Sequence, residues 1–373
     1  MAARFPTAVY DQRLLRAAAL AANAGVAALI VTPGPDLAYL IGSDAQTFER
    51  LTALVIPAAG PPRLVVPRLE VATFADSAAG ELGVDVSPWV DGEDPYALAL
   101  ADLPSNPTVA VSDSMSAGHL VPLMNATGTA PQLATSVLRD LRMIKDDDEI
   151  AALRRAGTAI DRVHARMAEW LRPGRTEAAV AADIADALVA EGHTSAAFVI
   201  VGSGPNGADP HHEHSERVIT DDDIVVIDIG GPVDPGYNSD CTRTYCFTEP
   251  SPEVTRAYAQ LKAAQEAAIA AARPGVTAES VDAAARDRLA AAGLADRFIH
   301  RTGHGIGLSV HEEPYIVAGN SLVLCPGMAF SIEPGIYFDG DWGARIEDIV
   351  IVTDDGCESL NRQSHALTRL PAS

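Results

Sequence analysis

Residues 224–244 read IVVIDIGGPVDPGYNSDCTRT, a pattern that predicts two β-strands joined by a turn. An apolar run typical of a buried strand carries Asp228, a turn rich in glycine and proline follows, and the returning segment carries Asp240. An antiparallel hairpin brings facing side chains of its two strands to within about 5 Å on one face. The segment therefore predicts two neighbouring carboxylates, although an isolated aspartate beside glycine is more often a turn residue.

Three more candidate ligands follow downstream. RTGHGIGLSVHEEP, over residues 301–314, places His304 among glycines, whose small size lets a ligand approach the backbone. FSIEPGIY sets Glu333 at the end of an apolar run, and ARIEDIVIV sets Glu347 inside an apolar strand. Glutamate is rarely buried without a partner. The alternatives are a salt bridge from Arg345 to Glu347 and an exposed strand end at Glu333.

If the carboxylates of the four acidic residues met in one cleft, their repulsion would be costly without cations. The four residues are Asp228, Asp240, Glu333 and Glu347. At a separation of about 4 Å and an effective dielectric near 20, each like-charge pair costs about 4 kcal/mol. Several such pairs exceed the roughly 5–15 kcal/mol by which a typical domain is stable. Two divalent ions supply four positive charges, and the His304 imidazole adds a neutral ligand. Oxygen ligands with one nitrogen suit Mn²⁺, Co²⁺, Fe²⁺ or a non-structural Zn²⁺, and paired metals activate a bridging water near neutral pH.

The region that holds these residues contains an internal repeat. Residues 172–193 and 273–294, related by an offset of 101, both begin with Arg-Pro-Gly-x-Thr and agree at 10 of 22 positions. Each copy has a helical pattern before and after this turn, followed by strand-like residues. Alanine-rich helices resemble one another in general, but turn chemistry is specific to position. The repeat therefore predicts two related halves with a cleft between them.

The first 138 residues have a different pattern. Short apolar runs bounded by proline and glycine are typical of buried strands, with helical periodicity between them. Such a pattern predicts a small α/β domain with at least partly parallel strands. The runs lie at residues 26–31, 51–56, 63–66 and 108–111.

The pattern changes after residue 138. Asp146 and Glu149 form a capping pair at a helix start, and apolar residues then repeat on one helix face as far as Leu171. We therefore expect an N-terminal α/β domain over residues 1–138 and a catalytic domain over residues 139–373.

The composition argues against several classes of partner. The formal charge of −23 would repel nucleic acid and anionic membranes, and the apolar fraction of 48% is enough for a large core. The N-terminus has no secretory signal pattern, and no apolar run approaches the length of a transmembrane helix. Four cysteines without CxxC spacing indicate packed thiols rather than disulfides. These observations predict a cytoplasmic protein.

Four blocks resemble the metal-binding blocks of the pita-bread metallopeptidase family: DIGGPVDPGYNSDCTRTY, TGHGIGLSVHEEPYI, GMAFSIEPGIYF and GARIEDIVIV. That family includes methionine aminopeptidase, aminopeptidase P and prolidase. The extra N-terminal domain, the helix start at residues 145–154 and the order of the blocks resemble the bacterial Xaa-Pro dipeptidase branch. The resemblance implies an α/β (α+β) fold, in which a creatinase-like N-terminal α/β domain precedes a pseudo-two-fold pita-bread catalytic domain.

The resemblance also implies a role for each candidate ligand. Asp228 would chelate one metal ion, and Asp240 with Glu347 would bridge both ions. His304 and Glu333 would complete the shell of the second ion. Glu333 would in addition accept the proton of the bridging water as a general base.

Other polar residues gain candidate catalytic roles from the same resemblance. His311 matches a family histidine that contacts the substrate near the scissile bond, and His211 matches one that helps to stabilise the tetrahedral intermediate. His211, His212 and His214 crowd one loop, so both His211 and His212 are candidates for that second role. Arg345 would orient the bridging carboxylate or recognise a peptide carboxylate, the alternative being a simple ion pair.

These roles predict a metal-dependent exopeptidase that cleaves the peptide bond before proline in Xaa-Pro dipeptides, with two divalent ions per subunit, Mn²⁺ foremost and Zn²⁺ or Co²⁺ as alternatives. Proline lacks an amide N–H and bends the chain, so it needs a dedicated pocket. The alternatives are an aminopeptidase P-like enzyme acting on longer Xaa-Pro peptides, a creatinase-like amidinohydrolase, and a metal-free binding module of the same fold. The expected partners are a small peptide substrate and, as the resemblance implies, a second copy in a homodimer.

Overall fold

The chain separates into two compact units, the first ending at Arg142 and the second beginning at Met143. The computed structural model describes residues 4–46 and 49–371. The domain boundary that we expect at residue 138 lies inside the last helix of the first unit, Thr135–Met143. Within the described residues, no helix combines the length and apolar character that a bilayer crossing requires.

The described part of the first unit contains a mixed six-stranded sheet and α-helices that pack around it. Its strands are β1 (Ala28–Val31), β2 (Ala53–Pro57), β3 (Arg63–Pro67), β4 (Asp85–Trp89), β5 (Val109–Val111) and β6 (Gln132–Leu133). Its helices are α1 (Thr7–Asn23), α2 (Pro35–Ile41), α3 (Pro95–Leu100), α4 (Ala117–Thr127) and α5 (Thr135–Met143).

The sheet of the first unit runs in the order β4-β3-β2-β1-β5-β6. The four apolar runs of the sequence form β1, β2, β3 and β5, so these strand predictions are confirmed. Parallel pairing of β1 with β5 and of β3 with β4 confirms the expectation of partly parallel strands. The sequence pattern does not predict the edge strand β4, because Trp89 is the one buried residue of DVSPW.

The second unit contains two larger sheets, a two-stranded ribbon and long helices within the described residues. Its strands are β7 (Phe198–Ser203), β8 (Val225–Val233), β9 (Tyr237–Cys246), β10 (Gly303–Gly305), β11 (Glu312–Ile316), β12 (Ala329–Ile332), β13 (Gly335–Phe338), β14 (Trp342–Arg345), β15 (Asp348–Val352), β16 (Cys357–Ser359) and β17 (Thr368–Arg369). Its helices are α6 (Asp147–Ala165), α7 (Glu177–Ala190), α8 (Pro252–Ala271) and α9 (Ala278–Ala291).

Each larger sheet of the second unit has its own pair of helices. The first sheet runs β17-β9-β8-β7, and α6 and α7 bury their apolar faces against it. The second sheet runs β11-β10-β12-β15-β16 and is covered by α8 and α9. Two sheets, each with two helices, are the architecture that the internal repeat predicts.

The repeat is visible at the level of single residues. Helices α7 and α9 are both 14 residues long and begin 101 residues apart. In the preceding turns, Gly174 and Gly275 have the same φ of 85°, and their N–H groups donate to the backbone oxygens of Ile219 and Leu324. The prediction of two related halves is confirmed.

The helix α6 begins as expected and ends earlier than expected. The side chain of Asp146 accepts from the Glu149 backbone N–H, and the Glu149 side chain accepts from the Asp146 N–H, which confirms the capping box. The helix ends at Ala165 rather than continuing to Leu171. A short 3-10 turn follows and keeps Met167 buried. The apolar repeat in the sequence therefore extends beyond the end of the helix.

We predict that Gly275→Ala lowers the free energy of unfolding by about 1 kcal/mol, because φ near +85° is unfavourable for a residue with a Cβ atom. No atom of the described residues lies within 4 Å of the added methyl group, so the cost is conformational rather than steric. Urea denaturation measures the effect. Gly356→Ala is the matched control, because Gly356 has open space without a positive φ. Equal midpoints for the two variants would contradict the conformational explanation.

Candidate metal centre

The hairpin β8–β9 places its two aspartates side by side. Asp228 pairs in register with Thr242, and Asp240 pairs with Gly230 on the opposite strand. Residues two apart on a strand share a face, so Asp228 and Asp240 lie on the same side of the sheet. Both side chains are buried, which confirms the predicted pair of neighbouring carboxylates.

His304 brings the second half of the unit to this hairpin. One ligand atom from each of Asp240, His304 and Glu347 lies within 4.8 Å of the other two. The His304 Nε2 atom is 3.7 Å from Asp240 Oδ2 and 3.2 Å from Glu333 Oε1. His304 Nδ1 faces the backbone oxygen of Gly305 at 3.1 Å. Because a carbonyl oxygen only accepts, Nδ1 carries a proton, and Nε2 is the ring atom that faces the carboxylates and would bind a cation there.

Glu333 follows β12 and is held by its own strand. The hydroxyl of Ser331 donates to Glu333 Oε1 at 3.0 Å and accepts from the His304 backbone N–H at 3.0 Å. Burial raises the pKa of Glu333, but the hydrogen bond and charge of His304 outweigh it, and the pKa falls to about 2. Glu333 is therefore ionised at neutral pH.

Asp240 and Glu347 show the electrostatic strain of the site. Burial, followed by the negative charges of Asp228 and Glu333, raises the pKa of Asp240 well above its ordinary value. Burial and the charge of Asp240 do the same for Glu347. One oxygen of Glu347 accepts from the Thr242 hydroxyl at 2.7 Å. A bound cation would act in the opposite direction, because a nearby positive charge lowers the pKa of a carboxyl group and favours its ionised form.

Arg345 pairs with Asp228 and not with Glu347. The guanidinium NH2 group is 2.6 Å from Asp228 Oδ2, while NH1 donates to the Tyr337 hydroxyl at 2.8 Å and Nε to Thr242 Oγ1 at 3.1 Å. Glu347 is thus linked to Arg345 only through Thr242 within the described residues, and the simple ion pair that would have explained Glu347 is not observed.

The histidines near the site differ in their surroundings. The ring of His311 lies edge-on against that of His304, with centroids 4.1 Å apart, and His311 is exposed to solvent. Burial and the charges of His304 and Arg301 lower the pKa of His311 to about 4, so it is neutral at pH 7. In the segment that follows β7, His211 is exposed, and His212 Nε2 lies 2.8 Å from Glu177 Oε2.

The sequence reasoning did not identify the polar residues that hold the ligands. Thr242 could have been found, because Asp240, Thr242 and Thr244 alternate along β9 and therefore share one face. Tyr337 and Ser331 carry no comparable signal. Their roles follow from tertiary contacts with Arg345 and Glu333.

The residues present fit divalent cations. Carboxylate oxygens with one imidazole nitrogen are ligands that Mn²⁺, Zn²⁺ and Co²⁺ accept. Asp228 Oδ1 is buried and has no hydrogen-bond partner within the described residues, as expected of an atom that binds an ion. The structure thus brings Asp240, His304 and Glu347 together, with Glu333 beside His304 and Asp228 on the adjacent strand.

Comparisons with known proteins agree with this architecture. The profile of metallopeptidase family M24 matches residues 151–354, and that of the creatinase/prolidase N-terminal domain matches residues 13–144. The chain is 65% identical to the probable dipeptidase PepE of Mycobacterium tuberculosis over 371 residues, 99% of each chain. It is 37% identical to the Xaa-Pro dipeptidase of Lactobacillus helveticus over 346 residues, 90% of this chain and 92% of that one.

A solved structure gives the same result. The crystal structure of dipeptidase PepE from Mycobacterium ulcerans superposes with a TM-score of 0.95 at 63% sequence identity, covering 99% of this chain and 100% of that one. The chain therefore belongs to the prolidase branch of metallopeptidase family M24, with a creatinase/prolidase N-terminal domain, and it is a peptidase.

Proposed function

We propose that this chain is a dipeptidase that hydrolyses the bond before proline in Xaa-Pro dipeptides with two divalent metal ions, Mn²⁺ foremost. The observation that carries the proposal is the buried cluster of carboxylates around His304. The activity named for the Lactobacillus helveticus relative supports the substrate class. The homodimeric state that the family resemblance implies and the cytoplasmic location that the sequence pattern predicts belong to the same proposal.

The charge balance supports two ions rather than one. Asp228, Asp240, Glu333 and Glu347 carry four negative charges when ionised. Arg345 contributes one positive charge, which leaves three negative charges in a buried space. One divalent ion leaves the cluster with a net charge of −1, whereas two give +1, which favours ionisation of a water molecule in the site.

The residues of the chain can then be assigned parts in the reaction. When bound, the two ions supply an activated water molecule and polarise the scissile carbonyl group. Glu333, ionised at neutral pH, accepts the proton of the nucleophile. His311 is neutral and exposed beside His304, where it can donate a hydrogen bond to the substrate. Arg345 holds Asp228 in place by a buried ion pair.

The proposal is tested by hydrolysis of Ala-Pro and Ala-Pro-Ala with chelator-stripped protein resupplied with Mn²⁺, Zn²⁺ or Co²⁺. We expect cleavage of Ala-Pro alone, loss of activity on chelation and restoration by Mn²⁺. Equal cleavage of the tripeptide would instead indicate an aminopeptidase P-like enzyme. Activity that survives complete chelation would favour a creatinase-like amidinohydrolase, and inactivity with every metal would favour a binding module.

We predict that Asp240→Asn abolishes binding of two Mn²⁺ ions but stabilises the metal-free protein at pH 8. Folding raises the pKa of Asp240, so the metal-free protein loses stability as the pH rises from about 4 through the folded pKa. The asparagine removes this charge, and the melting temperature rises by about 2–4 °C for each kcal/mol relieved. Calorimetry at pH 8 and near pH 4, where the difference should vanish, measures the effect. A lower melting temperature at pH 8 would contradict it.

We predict that His311→Ala reduces kcat for Ala-Pro by about 10²-fold, as removal of a transition-state hydrogen bond does. The His304 ring contacts His311, but Nε2 of His304 points to Asp240 and Glu333. The Mn²⁺ stoichiometry, measured by titration calorimetry, should therefore remain that of the wild type. Loss of bound metal in this variant would show that His311 supports the ligands rather than the substrate.

A further inference from the structure

A buried carboxylate outside the metal cluster holds a dense hydrogen-bond network. Glu177 is the first residue of α7, and its relative exposure is 0%. Glu177 Oε1 accepts from the Ser203 backbone N–H at 2.8 Å and from its hydroxyl at 2.6 Å. Oε2 accepts from the Ser215 N–H at 3.0 Å and hydroxyl at 2.7 Å, and lies 2.8 Å from His212 Nε2. The Asn206 amide donates to both oxygens.

The hydrogen bonds of Glu177 stabilise its charge. Burial raises its pKa, but the hydrogen bonds from Ser203, His212 and Ser215 outweigh burial, and the pKa lies below its ordinary value. A carboxylate with this many donors is ionised at neutral pH and fixes the position of every group that donates to it.

The internal repeat shows that the fold itself does not require this charge. The offset of 101 that relates α7 to α9 takes Glu177 to Ala278, which is also fully buried. The backbone N–H group makes an equivalent hydrogen bond in both halves. That of Glu177 donates to the backbone oxygen of Arg217, and that of Ala278 donates to the backbone oxygen of Leu322. Alanine thus serves at this position in one half, and the buried glutamate in the other half serves something specific to that half.

In the first half, this charge holds the segment that follows β7, residues 204–215, which contains the three clustered histidines. Asn206, His212 and Ser215 tie this segment to Glu177 at three points. His212 uses its ring for this contact, whereas the neighbouring His211 has an exposed side chain and only its backbone N–H donates to Asp209. The contact therefore leaves His211, of the two candidates, available to a substrate.

The same segment packs directly against a strand of the metal centre. The backbone oxygen of Gly207 approaches Gly343 on β14 so closely that a Cβ atom on Gly343 would lie 1.9 Å from it. Strand β14 ends with Arg345, the partner of Asp228. A displacement of residues 204–208 would therefore be transmitted through β14 to Arg345 and to a proposed metal ligand.

We propose that Glu177 is a positioning residue for the peptidase site, whose carboxylate, with His212, fixes residues 204–215 so that His211 and Arg345 are correctly placed. The inference rests on the proposed function, because it takes His211 and Arg345 as parts of that site. In the described part of the chain, the hydrogen-bond partners of Glu177 all lie outside the metal cluster, and Glu177 acts through them rather than on the substrate.

The test compares two variants at position 177 with two variants at position 212. Glu177→Gln removes the charge, and Glu177→Ala reproduces the residue of the other half. His212→Gln keeps a donor for the carboxylate, whereas His212→Leu removes it. Asp186→Asn, exposed on the same helix, is the control. The measurements are kcat and KM for Ala-Pro, Mn²⁺ stoichiometry by titration calorimetry, and amide hydrogen exchange of peptides covering residues 204–215 and 340–346.

We expect Glu177→Gln and His212→Leu to lower kcat at least about tenfold, as small misplacements of catalytic groups do, with unchanged Mn²⁺ stoichiometry. Amide exchange should accelerate in both peptides, and His212→Gln should restore most of kcat. A lower melting temperature with kcat and exchange within twofold of the wild type would overturn the proposal, since it would mean a purely structural role. If the wild type cleaves no Xaa-Pro peptide, the proposed function fails, and the exchange data alone decide whether Glu177 positions the segment.

Discussion

Repulsion among buried carboxylates is the constraint on which the second unit depends. Asp240 and Glu347 are almost completely buried, and the pKa of each is raised well above its ordinary value by burial and by the other acidic groups. Because burial and mutual repulsion of these carboxylates are unfavourable, strands and hydrogen bonds must hold the carboxylates in place. The carboxylates lie on or beside paired strands, and Thr242, Ser331 and Arg345 each hold one of them.

The duplicated architecture explains how residues so far apart in the sequence meet. The first half contributes the hairpin with Asp228 and Asp240, and the second half contributes His304, Glu333 and Glu347. Each half also has a buried carboxylate on its second helix. Glu177 holds the segment after β7, and Asp282 accepts from the N–H and hydroxyl of Thr302, two residues before His304. In each half, a buried carboxylate on the second helix supports a different loop, and the two carboxylates lie at different positions of the repeat.

The strand β9 links this site to a second ionic cluster behind it. Consecutive residues of a strand point to opposite faces, and Thr242 and Arg243 use this property to hold Glu347 from both sides. The Thr242 hydroxyl donates to the carboxylate, while Arg243 NH1 donates to the Glu347 backbone oxygen at 2.6 Å. Arg243 also forms a buried ion pair with Asp348 at 2.8 Å. The position of Glu347 is therefore set by backbone and side chain together.

Features that arise from local periodicity and turn chemistry could be predicted from the amino-acid sequence alone. These are the hairpin around Asp228 and Asp240, the repeated Arg-Pro-Gly turns and the start of the helix α6, which Asp146 caps. The candidate ligands could also be predicted, because acidic residues are rare within apolar strands and because four sequence blocks resemble the metal-binding blocks of the family. Tertiary structure decided which groups pair. Arg345 lies two residues from Glu347, yet it pairs with Asp228, 117 residues away. Likewise, the partner of His212 is Glu177. Such pairings depend on how separate strands and helices pack, which sequence spacing does not encode.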